Sequence, residues 1–173
     1  MVLGSPRAPV TVIAYVSVTC PHCAQYKRDV FPGFRRKYID TGLVRYVFRE
    51  ATVHPSWDIA GFLLARCAGP DGYFKVTDAL LDSVEELSRT SDFRTILYRV
   101  AGSAGLSRAQ AKACMSDERR ADQMMLRVRR EFTEYHVDHT PTFVVNGQKL
   151  ALSGPVDLAT LDRAVQPLLK KRH

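Results

Sequence analysis

The chain has 173 residues, a net charge of +7, 46% hydrophobic and 25% charged residues. That length suits one domain, or one domain carrying an insertion, and is enough to bury a sizeable core. No run reaches the roughly 18 apolar residues that a membrane span needs. The basic balance raises nucleic acid as a partner. Yet Arg119, Arg120, Arg127, Arg129 and Arg130 alternate with Asp117, Glu118, Asp122, Glu131 and Glu134, the pattern of a solvated helix face. Lys170-Lys171-Arg172-His173 reads as a soluble end. No nucleic-acid partner is expected. Pro6, Arg7 and Pro9 interrupt the N-terminus, which lacks a signal-peptide layout, so any export signal is expected to have been removed.

Thr11 to Val16 reads as a buried strand, within an apolar, β-branched run from Val10 to Val18. Cys20-Pro21-His22-Cys23 follows directly and opens a helical pattern with apolar positions at Tyr26, Val30, Phe31, Phe34 and Tyr38. Pro32-Gly33 predicts a kink in that helix. After Asp40-Thr41-Gly42, Leu43 to Phe48 predicts a second strand, and the βαβ crossover implies parallel pairing. Residues 55–135 read as helical throughout, with Phe62, Leu63 and Cys67 on one face, then Tyr73 to Leu81 and Phe93 to Ala101. Ser107-Arg108-Ala109-Gln110 is a capping-box start, and a further helix runs from after Asp117 to about Tyr135. Thr142 to Val145 and Lys149 to Leu152 flank Asn146-Gly147, a type I′ hairpin signal. Leu158, Leu161, Val165 and Leu168 close the chain as an amphipathic helix, despite Pro167. The order is βαβ, a helical block, then ββα.

Two cysteines spaced C-x-x-C at a strand-to-helix junction form a redox device. Unpaired N–H groups and the positive end of the helix dipole stabilise a thiolate on the first cysteine. Cys20 is the candidate nucleophile, exposed at the end of its strand, with a His22 imidazolium further favouring the charged form. Cys23, one turn into the helix, is expected to be buried and to resolve a mixed disulfide. A bland alternative makes both cysteines buried or metal-binding. His136 and His139 could in principle complete a zinc site with them, but the x₂ spacing between the histidines and the separation of the pairs give no support. Pro141, between Thr140 and Thr142, enters a strand from a turn. On the sequence alone a trans bond is the commoner case, since cis is only about 5–6% of X-Pro bonds. A cis bond would expose the Thr140 backbone for pairing with an extended peptide.

Together APVTVIAYVSVTCPHC, the helix continuing to FPGFRRKYIDTG, and HTPTFVVNG resemble the DsbA-like branch of the thioredoxin superfamily, over nearly the whole chain. The resemblance implies an α/β thioredoxin fold with an inserted all-helical domain. The expected division is 1–54 and 136–173 for the thioredoxin domain and 55–135 for the insertion. It implies an attacking Cys20, a resolving Cys23, tuning by His22 within the Cys20-Pro21-His22-Cys23 motif, and a cis-Pro141 after Thr140 beside the disulfide. No cofactor is implied beyond the redox-active Cys20–Cys23 disulfide. The implied work is periplasmic oxidation of unfolded or newly exported cysteine-containing proteins, with reoxidation by a DsbB-like quinone-linked membrane partner.

A disulfide reductase or isomerase is the first alternative, although nothing resembles the dimerisation module of superfamily isomerases, and a monomer is expected. A glutathione-using kappa-class isomerase fits less well, because that chemistry needs one activated residue instead of a dithiol. A zinc-holding binding module is the alternative from another class. Two departures from the family pattern stand out. Ala14 replaces an acidic residue of the first strand thought to move the resolving cysteine's proton. His139 replaces a glycine, and if protonated would stabilise the Cys20 thiolate further. Cys67 and Cys114, on apolar helical faces, are either free core cysteines or a second disulfide. Some DsbA-like proteins carry such a pair, and the active-site pair leaves these two to each other.

Overall fold

The computed structural model describes residues 1–90, 92–152 and 154–170. Lys171 to His173, part of the expected soluble end, lie outside the described residues. A five-stranded sheet forms the centre: β1 (Val2–Leu3), β2 (Val10–Val16), β3 (Val44–Glu50), β4 (Thr142–Val145) and β5 (Gln148–Lys149), in spatial order β1-β3-β2-β4-β5. β2 and β3 pair in parallel from Val10↔Val44 to Val16↔Glu50, as their crossover requires. β4 runs antiparallel to β2, with Tyr15 opposite Thr142 and Ala14 opposite Phe143. β1 was not expected: two residues are too short to show a period, and β1 exists only because β3 offers it a free edge.

The first helical run differs from a simple kinked helix. α1 (Pro21–Gln25) passes into a π-helical turn (Tyr26–Val30), then α2 (Phe31–Phe34) and a second π-helical turn (Arg35–Ile39). Tyr26, Val30, Phe34 and Tyr38 are all buried, at a spacing of four. In a straight α-helix of 3.6 residues per turn, such a stripe drifts by about 40° at each step. The wider π turns absorb that drift and keep the stripe on the sheet. Pro32 falls in the first turn of α2, where its missing N–H is least costly.

Between β3 and β4 lie α3 (Pro55–Cys67), α4 (Gly69–Asp82), α5 (Val84–Thr90), α6 (Phe93–Ser103), α7 (Arg108–Met115) and α8 (Glu118–Glu134). The capping box on α7 is complete: the Gln110 amide donates to Ser107 Oγ, and the Ser107 amide donates to the Gln110 side chain. α8 presents Arg119, Arg129 and Arg130 to solvent, but Arg127 turns inward. With Arg66, it brackets the buried Glu50 at the end of β3, and Tyr73 donates to the same carboxylate at 3.1 Å. This cluster ties the sheet to α3, α4 and α8, and both acid oxygens are satisfied, as a buried charge requires.

Asn146 and Gly147 take φ of 45° and 85°, the positive pair that a type I′ turn needs. β5 is shorter than Lys149 to Leu152: beyond Lys149 the chain leaves the ladder, and Leu152 lines a cleft instead. α9 (Leu158–Lys170) buries Leu161 and Val165 and keeps Pro167 in its last turns.

Cys67 and Cys114 form a disulfide joining α3 to α7. It closes 47 residues of sequence, for which loop entropy sets an upper stabilisation of ~4 kcal/mol. Replacing both cysteines by serine is expected to lower the unfolding free energy by up to that amount, seen as a lower urea midpoint by circular dichroism.

Candidate active site

β2 ends at Val16, and the segment Ser17 to Thr19 carries the chain to Cys20, the N-cap residue of α1. A carboxylate from α3 shapes that segment. Asp58, fully buried, accepts from Ser17 Oγ at 2.8 Å, from the Thr19 amide and hydroxyl at 3.2 and 3.0 Å, and from the Val53 and His54 amides at 2.8 and 3.0 Å. Burial raises its pKa, while these five donors pull the other way. The sequence offered no sign of this role, because an acid in the first turn of a helix reads as an ordinary exposed dipole partner.

Cys20 is only 5% exposed, so the expected exposed nucleophile is instead covered by its neighbours. The cover comes from the far end of the chain: β4's pairing with β2 brings Thr140 and Pro141 across it, and Cys20 Sγ lies 3.4 Å from the Thr140 carbonyl oxygen. The Thr140–Pro141 bond is cis. Cys23 is fully buried, and the two cysteines are free thiols.

The pair is electrostatically asymmetric. The Cys23 thiol, the Thr140 side chain and the backbone amides of Cys23 and His22 all favour a thiolate, and together they bring Cys20 down to about 5 against the cost of burial. Cys23 moves the opposite way, raised by burial and by its neighbour Cys20. His22 therefore acts on Cys20 through its backbone N–H, and its side chain is exposed, as is Pro21. His139 sits at the same cleft, but its ring is 46% exposed and its Nδ1 lies 2.6 Å from the Asp138 carboxylate. The groups that act most strongly on Cys20 are Cys23 and Thr140. Ala14 is fully buried between Phe48 of β3 and Phe143 of β4, and carries no proton.

A cleft of about 330 Å³ opens beside Cys20, lined by His22, Tyr26, His139, Pro141, Leu152 and Val156. His136, the other histidine of the proposed zinc set, follows α8 with φ of 50°. Among the described residues no cluster of three or more His, Cys, Asp or Glu is placed to hold a metal ion. None of the helices among the described residues is long and apolar enough to cross a membrane.

A family model described as Thioredoxin matches residues 1–167. A Rickettsia conorii protein named as a protein-disulfide oxidoreductase is 30% identical over 173 residues, covering 99% of this chain and 61% of its own. Among solved structures, α-DsbA1 of Wolbachia pipientis superposes with a TM-score of 0.85 at 26% identity, covering 99% of this chain and 94% of that one. A protein-disulfide isomerase of Novosphingobium aromaticivorans shares the fold, with a TM-score of 0.83 at 22% identity over 99% of this chain and 97% of that one. This chain belongs to the thioredoxin family, is similar to its DsbA-like members, and carries a disulfide in its helical region. It spans 54–61% of the length of the first Rickettsia relatives it matches.

Absorbance at 240 nm is expected to report a Cys20 thiolate forming near pH 5, and Thr140→Val is expected to move that inflection upward. The same depressed pKa makes the dithiol protein gain stability as pH rises from about 5 toward the free-thiol value, and lose it as pH falls through 5. Thermal melts of the reduced protein at pH 4 and pH 7 check the sign.

Proposed function

We propose that this chain is a dithiol oxidase that donates a Cys20–Cys23 disulfide to cysteine-containing proteins newly exported to the periplasm. One observation carries the reading: the opposite shifts of the two thiols, with Cys20 near 5 and Cys23 raised. Contacts that stabilise the Cys20 thiolate stabilise the reduced form, and this makes the disulfide the stronger oxidant. A low-pKa sulfur is also the better leaving group when substrate breaks free.

In the proposed sequence, a substrate thiolate attacks Cys20 Sγ and the Cys20–Cys23 bond breaks, its electron pair going to Cys23, which takes up a proton. A second substrate thiolate then attacks the substrate sulfur of the mixed disulfide. The substrate disulfide forms, and Cys20 leaves as thiolate. In this reading the cleft beside Pro141 takes an extended substrate segment, the Thr140 backbone aligns it, and residues 55–135 act as an inserted domain on residues 1–54 and 136–173. A quinone-linked membrane oxidase of the DsbB kind would return Cys20 and Cys23 to the disulfide, and the protein would work as a monomer without a cofactor. The similarity to the Rickettsia conorii protein-disulfide oxidoreductase and to Wolbachia α-DsbA1 supports this class of chemistry.

Equilibration with glutathione redox buffers tests the direction. An oxidase gives a Cys20–Cys23 couple more positive than about −200 mV, and a value near −270 mV would identify a reductase instead. Cys20→Ser is expected to abolish exchange. Cys23→Ser is expected to accumulate the mixed disulfide at Cys20, visible by mass spectrometry.

A further inference from the structure

Cys23 poses a proton problem. Its sulfur must gain a proton each time the disulfide opens and lose one each time it closes, yet the residue is fully buried. Cys23 lines a small cavity of about 20 Å³, together with Tyr26, Lys27, Tyr46, Phe74 and Asp78 among others. A volume of that order has room for one water. Asp78, half-buried on α4, is the one carboxylate among the described residues that line it. The Lys27 ammonium is held by both carboxylate oxygens of Asp82, at 2.7 and 2.8 Å, which leaves Asp78 outside that ion pair. The Tyr26 hydroxyl, also on the cavity, is buried without a hydrogen-bond partner among the described residues. The cavity thus joins a buried thiol, an orphaned hydroxyl and a carboxyl group.

We propose that Asp78 is the proton-exchange residue for Cys23, acting across this cavity from the helical block. The proposal rests on the oxidase reading above. When substrate thiolate attacks Cys20 Sγ, the electron pair of the breaking S–S bond goes to Cys23 Sγ. The neutral Asp78 carboxyl then supplies the proton, leaving a Cys23 thiol and an Asp78 carboxylate. On reoxidation the carboxylate takes the proton back as Cys23 forms its bond to Cys20 and the oxidant accepts the electrons. Burial raises the Asp78 carboxyl above the usual range, opposed by Lys27 and Arg35 and reinforced by Asp82, the charged groups that face it. Such a shift keeps a carboxylic acid neutral to higher pH and suits it to donate.

The test is the rate at which the disulfide form oxidises a two-cysteine peptide between pH 4 and pH 8, for wild type, Asp78→Asn, Asp78→Ala and Asp78→Glu. For the wild type, the rate is corrected for the peptide's own thiolate fraction and is expected to fall as pH rises through the Asp78 pKa. The Asn and Ala variants are expected to lose about 10²-fold at the acid end and to lose that pH limb, whereas Glu restores it. Their Cys20 titration at 240 nm stays in place, which separates lost proton exchange from a disturbed fold. Two neutral variants guard against one that fails to fold. If they match the wild type in rate and profile while the wild type oxidises the peptide, the assignment to Asp78 is overturned and the oxidase reading stands. If the wild type oxidises no peptide, both fall.

Discussion

The antiparallel register between β2 and β4 is the constraint on which the site depends. With Tyr15 opposite Thr142, the residues that precede β4 must cross the residues that follow β2. That is how Thr140 comes within 3.4 Å of Cys20 despite a separation of 120 positions. A slip of one residue would turn Phe143 from the core and carry Thr140 away from the sulfur, because side chains alternate between faces. The hairpin turn at Asn146-Gly147 supports the register from the other side. Its Asn146 amide donates to the Thr11 carbonyl, and the Asn146 side chain accepts from the Thr11 amide at 2.8 Å.

The helical block is more than cover. Through Asp58 it organises the segment leading into Cys20, and through Glu50, bracketed by Arg66 and Arg127, it anchors the end of β3. Both acids are buried, and each is surrounded by donors, so removing either would leave several polar groups unpaired. The Cys67–Cys114 bridge holds α3 to α7, and α3 is the helix that carries Asp58. A covalent link in the helices thereby steadies the segment that presents the reactive thiol.

Ala14 and Asp78 together give the site its particular character. The central strand offers only a methyl group between two phenylalanines, while the acid that borders the Cys23 cavity comes from α4. Under the Asp78 assignment, the chemistry of the pair is shared between the start of α1, which supplies the sulfurs, and the helical block, which supplies the proton.

Element types, the C-x-x-C motif and the Asn-Gly turn were legible in the chain because each depends on neighbours in sequence: β-branched runs, helix-start geometry and a pair of positive φ angles. The π turns after Gln25 were not, since a spacing of four is compatible with a kinked α-helix until packing against the sheet selects one. The cis bond at Pro141 and the partner of Cys67 were readable only through resemblance, as both depend on distant segments meeting. The covering of Cys20, the burial of Asp58 and the placing of Asp78 on the cavity that Cys23 lines were decided by tertiary structure alone. A carboxylate carries no mark of its burial. Its surroundings exist only once helices remote in sequence have packed against the sheet.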